Sequence, residues 1–303
     1  MKEFTLPAYA KINWFLRILG KRGDGFHELC TAFQTVSLHD NLTFSENEEI
    51  VLTCDDAGVP VDESNLIVKA ARELQRKFEI KNGARIHLEK RIPSPGGLGG
   101  GSSDAATALR GLARLWRLEI GFEGLFEIAA RLGSDVPFFL YGGTALGTGR
   151  GTEIFPVDDV EEKFLLIVTP AVEVPTKEAF ERLNAQSLTN IDSKSNLKIC
   201  REELKKTLSR HFSSANDFEK VIFEIEPEIR RVKEKLLACG AVQAHMSGSG
   251  ASVYAVFENE ETRQATLKAL QEEENWRKFA VATISRADFG RETVSDKPTV
   301  VSD

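Results

Sequence analysis

The chain has 303 residues, 42% hydrophobic and 28% charged, with 39 basic against 46 acidic side chains and a formal net charge of −7. Such proportions exclude wholesale disorder and fibrous repeats, and the acidic balance supplies no long-range pull toward nucleic acid or anionic lipid, so an anionic ligand must be held by local geometry. No stretch approaches about 18 uninterrupted apolar residues and the first residues lack the apolar centre of a signal peptide, which points to the cytoplasm rather than to a membrane or secretion. Cys30, Cys54, Cys200 and Cys239 are widely separated and form no C-x-x-C pair, so reduced thiols are expected. The length suits one large domain or two packed ones.

Alternating and β-branched apolar residues at 4–18, 29–38 and 48–54 read as strands, with Lys21-Arg22-Gly23-Asp24-Gly25 as a hairpin turn. Leu66, Ile67, Ala70, Ala71, Leu74 and Phe78 recur at helical spacing behind Ser64-Asn65, which predicts a capped amphipathic helix over 65–79. Ile86-His87-Leu88 is a short strand. A glycine-rich segment at 93–101 then leads into an alanine-rich helix ending near Trp116, followed by a helix at 123–132 and strands near 144–148 and 152–157. Apolar patterning stops at Pro156 and Asp158-Asp159-Val160-Glu161-Glu162 and restarts at Phe164-Leu165-Leu166-Ile167-Val168, so a domain boundary is expected between 158 and 159. Beyond it come helices at 176–184, 196–209 and 226–239, strands at 242–246 and 251–257, a helix at 260–272 and a strand at 279–285. Two β-α-β halves of this kind predict a ferredoxin-like α+β domain over 159–290. Residues 291–303 are polar and expected as a flexible tail.

The segment Pro93-Ser94-Pro95-Gly96-Gly97-Leu98-Gly99-Gly100-Gly101-Ser102-Ser103-Asp104-Ala105-Ala106 carries most of the functional signal. Its glycines let the backbone approach a ligand closely and turn successive N–H groups toward one point, a concavity that binds anions. Ser102, Ser103 and Asp104 open an alanine-rich helix whose positive end, equivalent to about half a unit charge, faces the same place. A linker would not end in such a helix. No Gly-Lys-Ser/Thr closes the segment, so it is not a Walker A loop, and it is not the dinucleotide G-x-G-x-x-G that follows a strand.

The segment resembles the second motif of the GHMP kinase superfamily, which includes galactokinase, homoserine kinase, mevalonate kinase and phosphomevalonate kinase. Two further stretches extend the likeness: Ala8-Tyr9-Ala10-Lys11-Ile12-Asn13 with Arg22-Gly23-Asp24-Gly25-Phe26-His27-Glu28-Leu29, and Met246-Ser247-Gly248-Ser249-Gly250-Ala251-Ser252. Together they resemble the branch that phosphorylates a cytidyl diphosphate sugar alcohol on the non-mevalonate route to isoprenoid precursors. The similarity runs from about residue 4 to 257 with order and spacing kept. Pro95 stands where Gly or Ala is usual and removes one N–H donor. Phe26 stands where Tyr is usual and lacks its hydroxyl.

The resemblance implies an ATP-dependent kinase with the two-domain GHMP kinase fold of class α+β: a ribosomal-protein-S5-like α/β domain over 1–158, then the ferredoxin-like domain. It implies Asp135 as general base and Lys11 as its catalytic partner, acting on the hydroxyl or on Asp135 itself. Pro93, Ser94, Pro95, Gly96, Gly97, Leu98, Gly99, Gly100, Gly101, Ser102 and Ser103 would bind ATP. His27 would face the cytosine, with Phe26 and Phe180 stacked on its ring and Thr176 and Asn13 also at the substrate. Gly248-Ser249-Gly250 would buttress the phosphate loop or serve as a plain turn. Mg²⁺ is expected with ATP, held mostly by nucleotide and water with Ser102 as the protein contact, and Asp104 is read as complementing the helix dipole. Nucleic acid and membranes are not expected partners, and the chain is expected as a monomer or weak homodimer. The alternative is a sister kinase of mevalonate or homoserine type, which has no use for Phe26, His27 and Phe180.

Overall fold

The computed structural model describes residues 3–183, 193–208 and 216–294. Its elements run β1 (Phe4–Lys21), β2 (His27–Asn47), β3 (Ile50–Cys54), α1 (Leu66–Phe78), β4 (Gly83–Glu89), α2 (Gly100–Leu115), α3 (Phe122–Leu132), α4 (Phe138–Tyr141), β5 (Thr144–Gly149) and β6 (Glu153–Pro156). The second half runs β7 (Phe164–Pro170), α5 (Thr176–Arg182), α6 (Ser193–Leu208), α7 (Glu219–Ile225), α8 (Pro227–Ala238), β8 (Gln243–Met246), β9 (Val253–Phe257), α9 (Glu260–Ala269), β10 (Trp276–Ala282) and α10 (Arg286–Val294). The first sheet has the order β3-β4-β2-β5-β6 with β1 paired to β2, and the second the order β10-β7-β9-β8 with all pairings antiparallel. This is the α+β arrangement expected.

Local rules account for much of it. Asn65 caps α1 by accepting from the Ile67 amide at 2.8 Å, a contact worth about 1 kcal/mol, and Ile67, Val68, Ala70, Ala71 and Leu74 form its buried stripe. With α2, α3 and α4, α1 covers one face of the first sheet.

β1 departs from simple alternation, being buried continuously from Ala8 to Leu16. Register shifts between Tyr9 and Lys11 and between Asn13 and Phe15 re-aim its side chains. Leu6 and Ala8 face the helices, whereas Ala10, Ile12 and Trp14 pack with Leu165, Ile167 and Tyr254 of the second sheet. The Tyr254 hydroxyl donates to the Trp14 carbonyl at 3.1 Å, a bond between the two sheets.

β2 extends beyond the expected 29–38 to Asn47, pairing with β1 as far as Phe4↔Phe44 and with β4 from Asn41↔Glu89 to Asn47↔Gly83. Asp40 interrupts the apolar pattern, but its fully buried carboxylate accepts the amides of Arg91 at 2.6 Å and Ile92 at 2.8 Å and pairs with Lys90. The short helices α4, α7 and α10 were not expected. α10 follows the last strand because Phe289, 2% exposed, packs on Tyr9 and over Gly142.

Cys30 and Cys200 are joined in a disulfide across 170 residues with Cα atoms 5.5 Å apart, while Cys54 and Cys239 are free. This corrects the expectation of four reduced thiols: α6 packs on β2, and no spacing in the sequence announces that contact. Among the described residues, no helix is long and apolar enough to cross a membrane.

Candidate active site

Beyond β4 the chain runs from Lys90 into α2, whose cap residue is Gly99 in the left-handed region (φ 71°) with no side-chain cap bond. The helix thus begins three residues before its expected serine cap would close it. Ser102 and Ser103 lie inside the first turn, where the Ser103 amide already donates to the Gly99 carbonyl at 2.8 Å. The positive end of α2 is therefore available to an anion.

The loop is pressed tightly from below. A Cβ on Gly97 (φ 72°) would stand 2.1 Å from the Ser247 carbonyl oxygen, and one on Gly99 2.7 Å from the Phe139 ring. Ser247 Oγ donates to the Gly97 carbonyl at 2.9 Å and the Ser252 amide to the Gly96 carbonyl at 3.1 Å. Asn216 Nδ2 holds the turn from behind through the Met246 and Gly248 carbonyls at 2.8 and 2.7 Å. Gly248-Ser249-Gly250 is thus both a turn and a support. Pro93, Gly96, Leu98, Gly100 and Ser103 are buried, with Leu98 in the core beside Ala10 and Ile12. Ser94, Pro95 and Gly101 are exposed, and Gly97, Gly99 and Ser102 lie half-buried between them.

β1 meets the loop directly, since the Lys11 amide donates to the Leu98 carbonyl at 2.9 Å. The Lys11 ammonium, nearly sealed from solvent, donates to Asn13 Oδ1 at 2.7 Å and to the Gly97 carbonyl at 3.0 Å, and lies 3.3 Å from Asp135 Oδ2. Asp135 sits between α3 and α4 with its side chain 32% exposed, so its carboxylate meets both a fixed cation and the outside. Such a group can accept a hydroxyl proton while the cation holds its charge. Asn13 is 3% exposed and engaged at both ends, its Nδ2 donating to Thr31 Oγ1 at 2.8 Å. Holding Lys11 is its visible task.

A charge cluster missed in the sequence lies beneath the loop. Lys90, 5% exposed at its side chain, joins Asp40 of β2 to Asp104 of α2, the latter at 3.0 Å. Asp104 is therefore a buried pairing residue. Burial pushes its carboxyl up to about 8, against the pull of Lys90 and with Asp40 adding to the rise; its Oδ1 has no hydrogen-bond partner. Burial also pulls the Lys90 ammonium down, but Asp104 and Asp40 outweigh it and the net is upward. Acidic and basic residues at 40, 90 and 104 carry no spacing that would reveal this contact.

At the other end of β1, the His27 and Phe180 rings stack with centroids 4.8 Å apart, and Phe180 meets Phe218 edge-on at 4.7 Å. Burial, helped by Lys21, holds the His27 imidazole below its ordinary 6.5. Phe26 stands outside this stack: it is 54% exposed, with the Arg150 guanidinium 4.5 Å from its ring centroid. The structure thus brings His27 and Phe180 together, where Phe26 and Phe180 were expected to flank a base. The side chain of Thr176 lies outside the described residues.

Comparison with known proteins agrees with this geometry. Residues 65–143 match the family model for the GHMP kinases N terminal domain, and residues 193–275 the model for GHMP kinases C terminal. A 4-diphosphocytidyl-2-C-methyl-D-erythritol kinase of Thermoanaerobacter pseudethanolicus is 39% identical over 281 residues, covering 90% of this chain and 93% of that protein. One from Solibacter usitatus is 40% identical over 287 residues, covering 94% and 90%. A crystal structure of 4-(cytidine 5'-diphospho)-2C-methyl-D-erythritol kinase superposes with a TM-score of 0.76 at 31% identity, covering 92% of this chain and 99% of that one. A homoserine kinase from Cytophaga hutchinsonii, at 18% identity and a TM-score of 0.68, shares the fold. Two half-models in order and near-full-length relatives of one kind place the chain in the GHMP kinase superfamily, as a member of the 4-diphosphocytidyl-2-C-methyl-D-erythritol kinase family.

Proposed function

We propose that the protein transfers the γ-phosphoryl group of ATP to the 2-hydroxyl of 4-diphosphocytidyl-2-C-methyl-D-erythritol, a step toward isoprenoid precursors by the non-mevalonate route. The observation that carries this reading is the position of Lys11, whose ammonium touches both the Gly97 carbonyl of the glycine loop and the Asp135 carboxylate. One side chain thereby ties the nucleotide end to the proton acceptor.

In this mechanism the backbone amides of the glycine loop and the N-terminal end of α2 hold the triphosphate. The acceptor hydroxyl enters beside Asp135 and gives its proton to the carboxylate as its oxygen bonds to phosphorus and the bond from the γ-phosphorus to the ADP oxygen breaks. Lys11 stabilises the negative charge that builds on the acceptor oxygen and holds the Asp135 carboxylate in place through their 3.3 Å contact. His27, with two ring nitrogens, reads the pyrimidine edge, and Phe180 and Phe26 supply aromatic faces. The neutral imidazole at His27 suits this, since it both donates and accepts.

Magnesium belongs to the same reading. The ion would come with the triphosphate and keep several waters, with the half-buried Ser102 hydroxyl in the first turn of α2 as its protein contact. When bound it neutralises phosphate charge. In the same reading the first domain ends at 158 and the second begins at 159, and the protein works in the cytoplasm as a monomer or weak homodimer.

The test is turnover with ATP and three acceptors: the cytidyl substrate, mevalonate and homoserine. Phosphorylation confined to the first is expected. Comparable turnover of mevalonate or homoserine would overturn the substrate assignment while leaving the kinase standing.

A further inference from the structure

We propose that Glu28 is a positioning residue for the pyrimidine end of the substrate, acting through Phe26 and His27, the two residues before it. This rests on the cytidyl-kinase reading and deepens it.

Glu28 is 1% exposed, and a carboxylate so deeply buried is tolerated only where donors surround it. Three donors, from a turn, a strand and a helix, do so: Arg22 Nη1 at 2.5 Å, the Gly149 amide at 3.1 Å and Asn196 Nδ2 at 2.8 Å. None belongs to the glycine loop or to the Lys11–Asp135 pair.

Each donor leads back to the aromatic pair. Arg22 opens the β1–β2 turn, where its amide donates to the Phe26 carbonyl at 2.7 Å and its guanidinium bonds Asp24, which accepts the Phe26 amide at 3.2 Å. Both polar backbone groups of Phe26 are thus tied to Arg22, its carbonyl by the Arg22 amide and its own amide, through Asp24, by the cation that Glu28 anchors. Gly149 precedes Arg150, whose guanidinium covers the Phe26 ring. Asn196 and Cys200 lie one turn apart on α6 and meet Glu28 and Cys30, two residues apart on one face of β2. α6 is thereby fixed across the strand that carries His27. Removing the Glu28 charge leaves Arg22 with Asp24 alone, both in the turn, and so unties the turn from the strand end and the helix, while the nucleotide side keeps its own supports.

The experiment is steady-state kinetics of the full chain with both substrates varied. Glu28→Gln retains volume but turns one acceptor oxygen into a donor facing Arg22, so the KM for the cytidyl substrate should rise on the order of tenfold, as for loss of a residue that orients a binding group. The kcat and the KM for ATP should stay within about twofold. Arg22→Met should give the same selective rise, and the double variant should be no worse than the worse single one, because both break one link. Asn196→Ala, which spares the ion pair, provides a milder variant should Glu28→Gln fail to fold; a smaller rise confined to the cytidyl KM is expected from it. Equal increases in both KM values, or an unchanged cytidyl KM, would overturn the positioning role. His27→Ala separates the two ideas: if it too leaves the cytidyl KM unchanged, the placement of His27 at the pyrimidine has failed and Glu28 with it; if it raises that KM while Glu28→Gln and Asn196→Ala do not, only the role of Glu28 has; the substrate assignment itself stands or falls on turnover by the parent.

Discussion

The Lys11 ammonium stands 3.3 Å from the Asp135 carboxylate, the first nearly sealed at 4% exposure and the second open at 32%. The asymmetry suits a proton acceptor, because the cation is fixed from behind by Asn13 and Gly97 while the anion is open to the outside. Replacing Asp135 by Asn keeps the shape and removes the acceptor. In Asp135→Asn, kcat should fall by about 10²- to 10⁴-fold, with ATP affinity by calorimetry near that of the parent. Near-full turnover would remove Asp135 from the chemistry.

Lys11→Met should behave differently. It removes the link to the Gly97 carbonyl as well as the partner of Asp135, so both kcat and the KM for ATP should deteriorate. A loss confined to kcat would mean that the contact with the loop is incidental.

Two glycines separate loop packing from loop chemistry. Gly97→Ala drives a methyl into the Ser247 carbonyl at a positive φ, and a loss of about 1–3 kcal/mol in denaturant unfolding is expected. Gly101 has nothing within 4 Å of a built Cβ and lies in the first turn of α2, so Gly101→Ala should match or exceed the parent in stability by about 0.5–1 kcal/mol. If the amides there grip phosphate, its methyl should still raise the KM for ATP. Unchanged ATP affinity would put the nucleotide elsewhere. Gly100 is less informative, since its Cβ would meet Lys90 Nζ at 2.9 Å and Ile92 at 3.0 Å.

The buried Asp104 carboxyl gives the fold a pH dependence. Its folded-state value of about 8 lies above the ordinary 3.8, so its contribution is fully present below 3.8, where both states hold the proton, and is lost as pH rises through about 8. Asp104→Asn mimics the protonated form. Melting temperatures of the variant minus the parent should grow more positive from pH 5 to pH 9, and parallel curves would show that Asp104 is charged and fully paired throughout.

His27 supplies the opposite sign at the substrate. With its value held below the ordinary 6.5 by burial, the imidazole is mostly neutral at pH 7 and above, and the cytidyl KM should be nearly flat from pH 8 to 7 and rise at lower pH. A rise already complete at pH 7 would mean that the protonated ring is present in the site at neutrality.

Much of the site could be read from the sequence because its signals are local. The glycine run, the alanine-rich helix behind it and the Asn65 cap of α1 each specify backbone conformation within a few residues, and the structure has all three. The order of the motifs was equally legible. Partnership was not. β2 was expected to stop before Asp40 because a buried carboxylate breaks the alternation, and only the amides of Arg91 and Ile92 with Lys90 make that position tolerable. Cys30 and Cys200 were expected as separate thiols, and the stacking of Phe180 on His27 was not foreseen.

By itself, then, the sequence determined the backbone that can cradle an anion and the side chains able to serve a phosphoryl transfer. Tertiary structure decided which of them meet: Lys11 with Gly97 and Asp135, Ser247 beneath the loop, and Glu28 among Arg22, Gly149 and Asn196. The physical reason is range. A glycine or a cap acts on its own few dihedrals, whereas a buried charge is stable only with partners, and those are delivered by strand register and sheet-on-sheet packing across the whole chain.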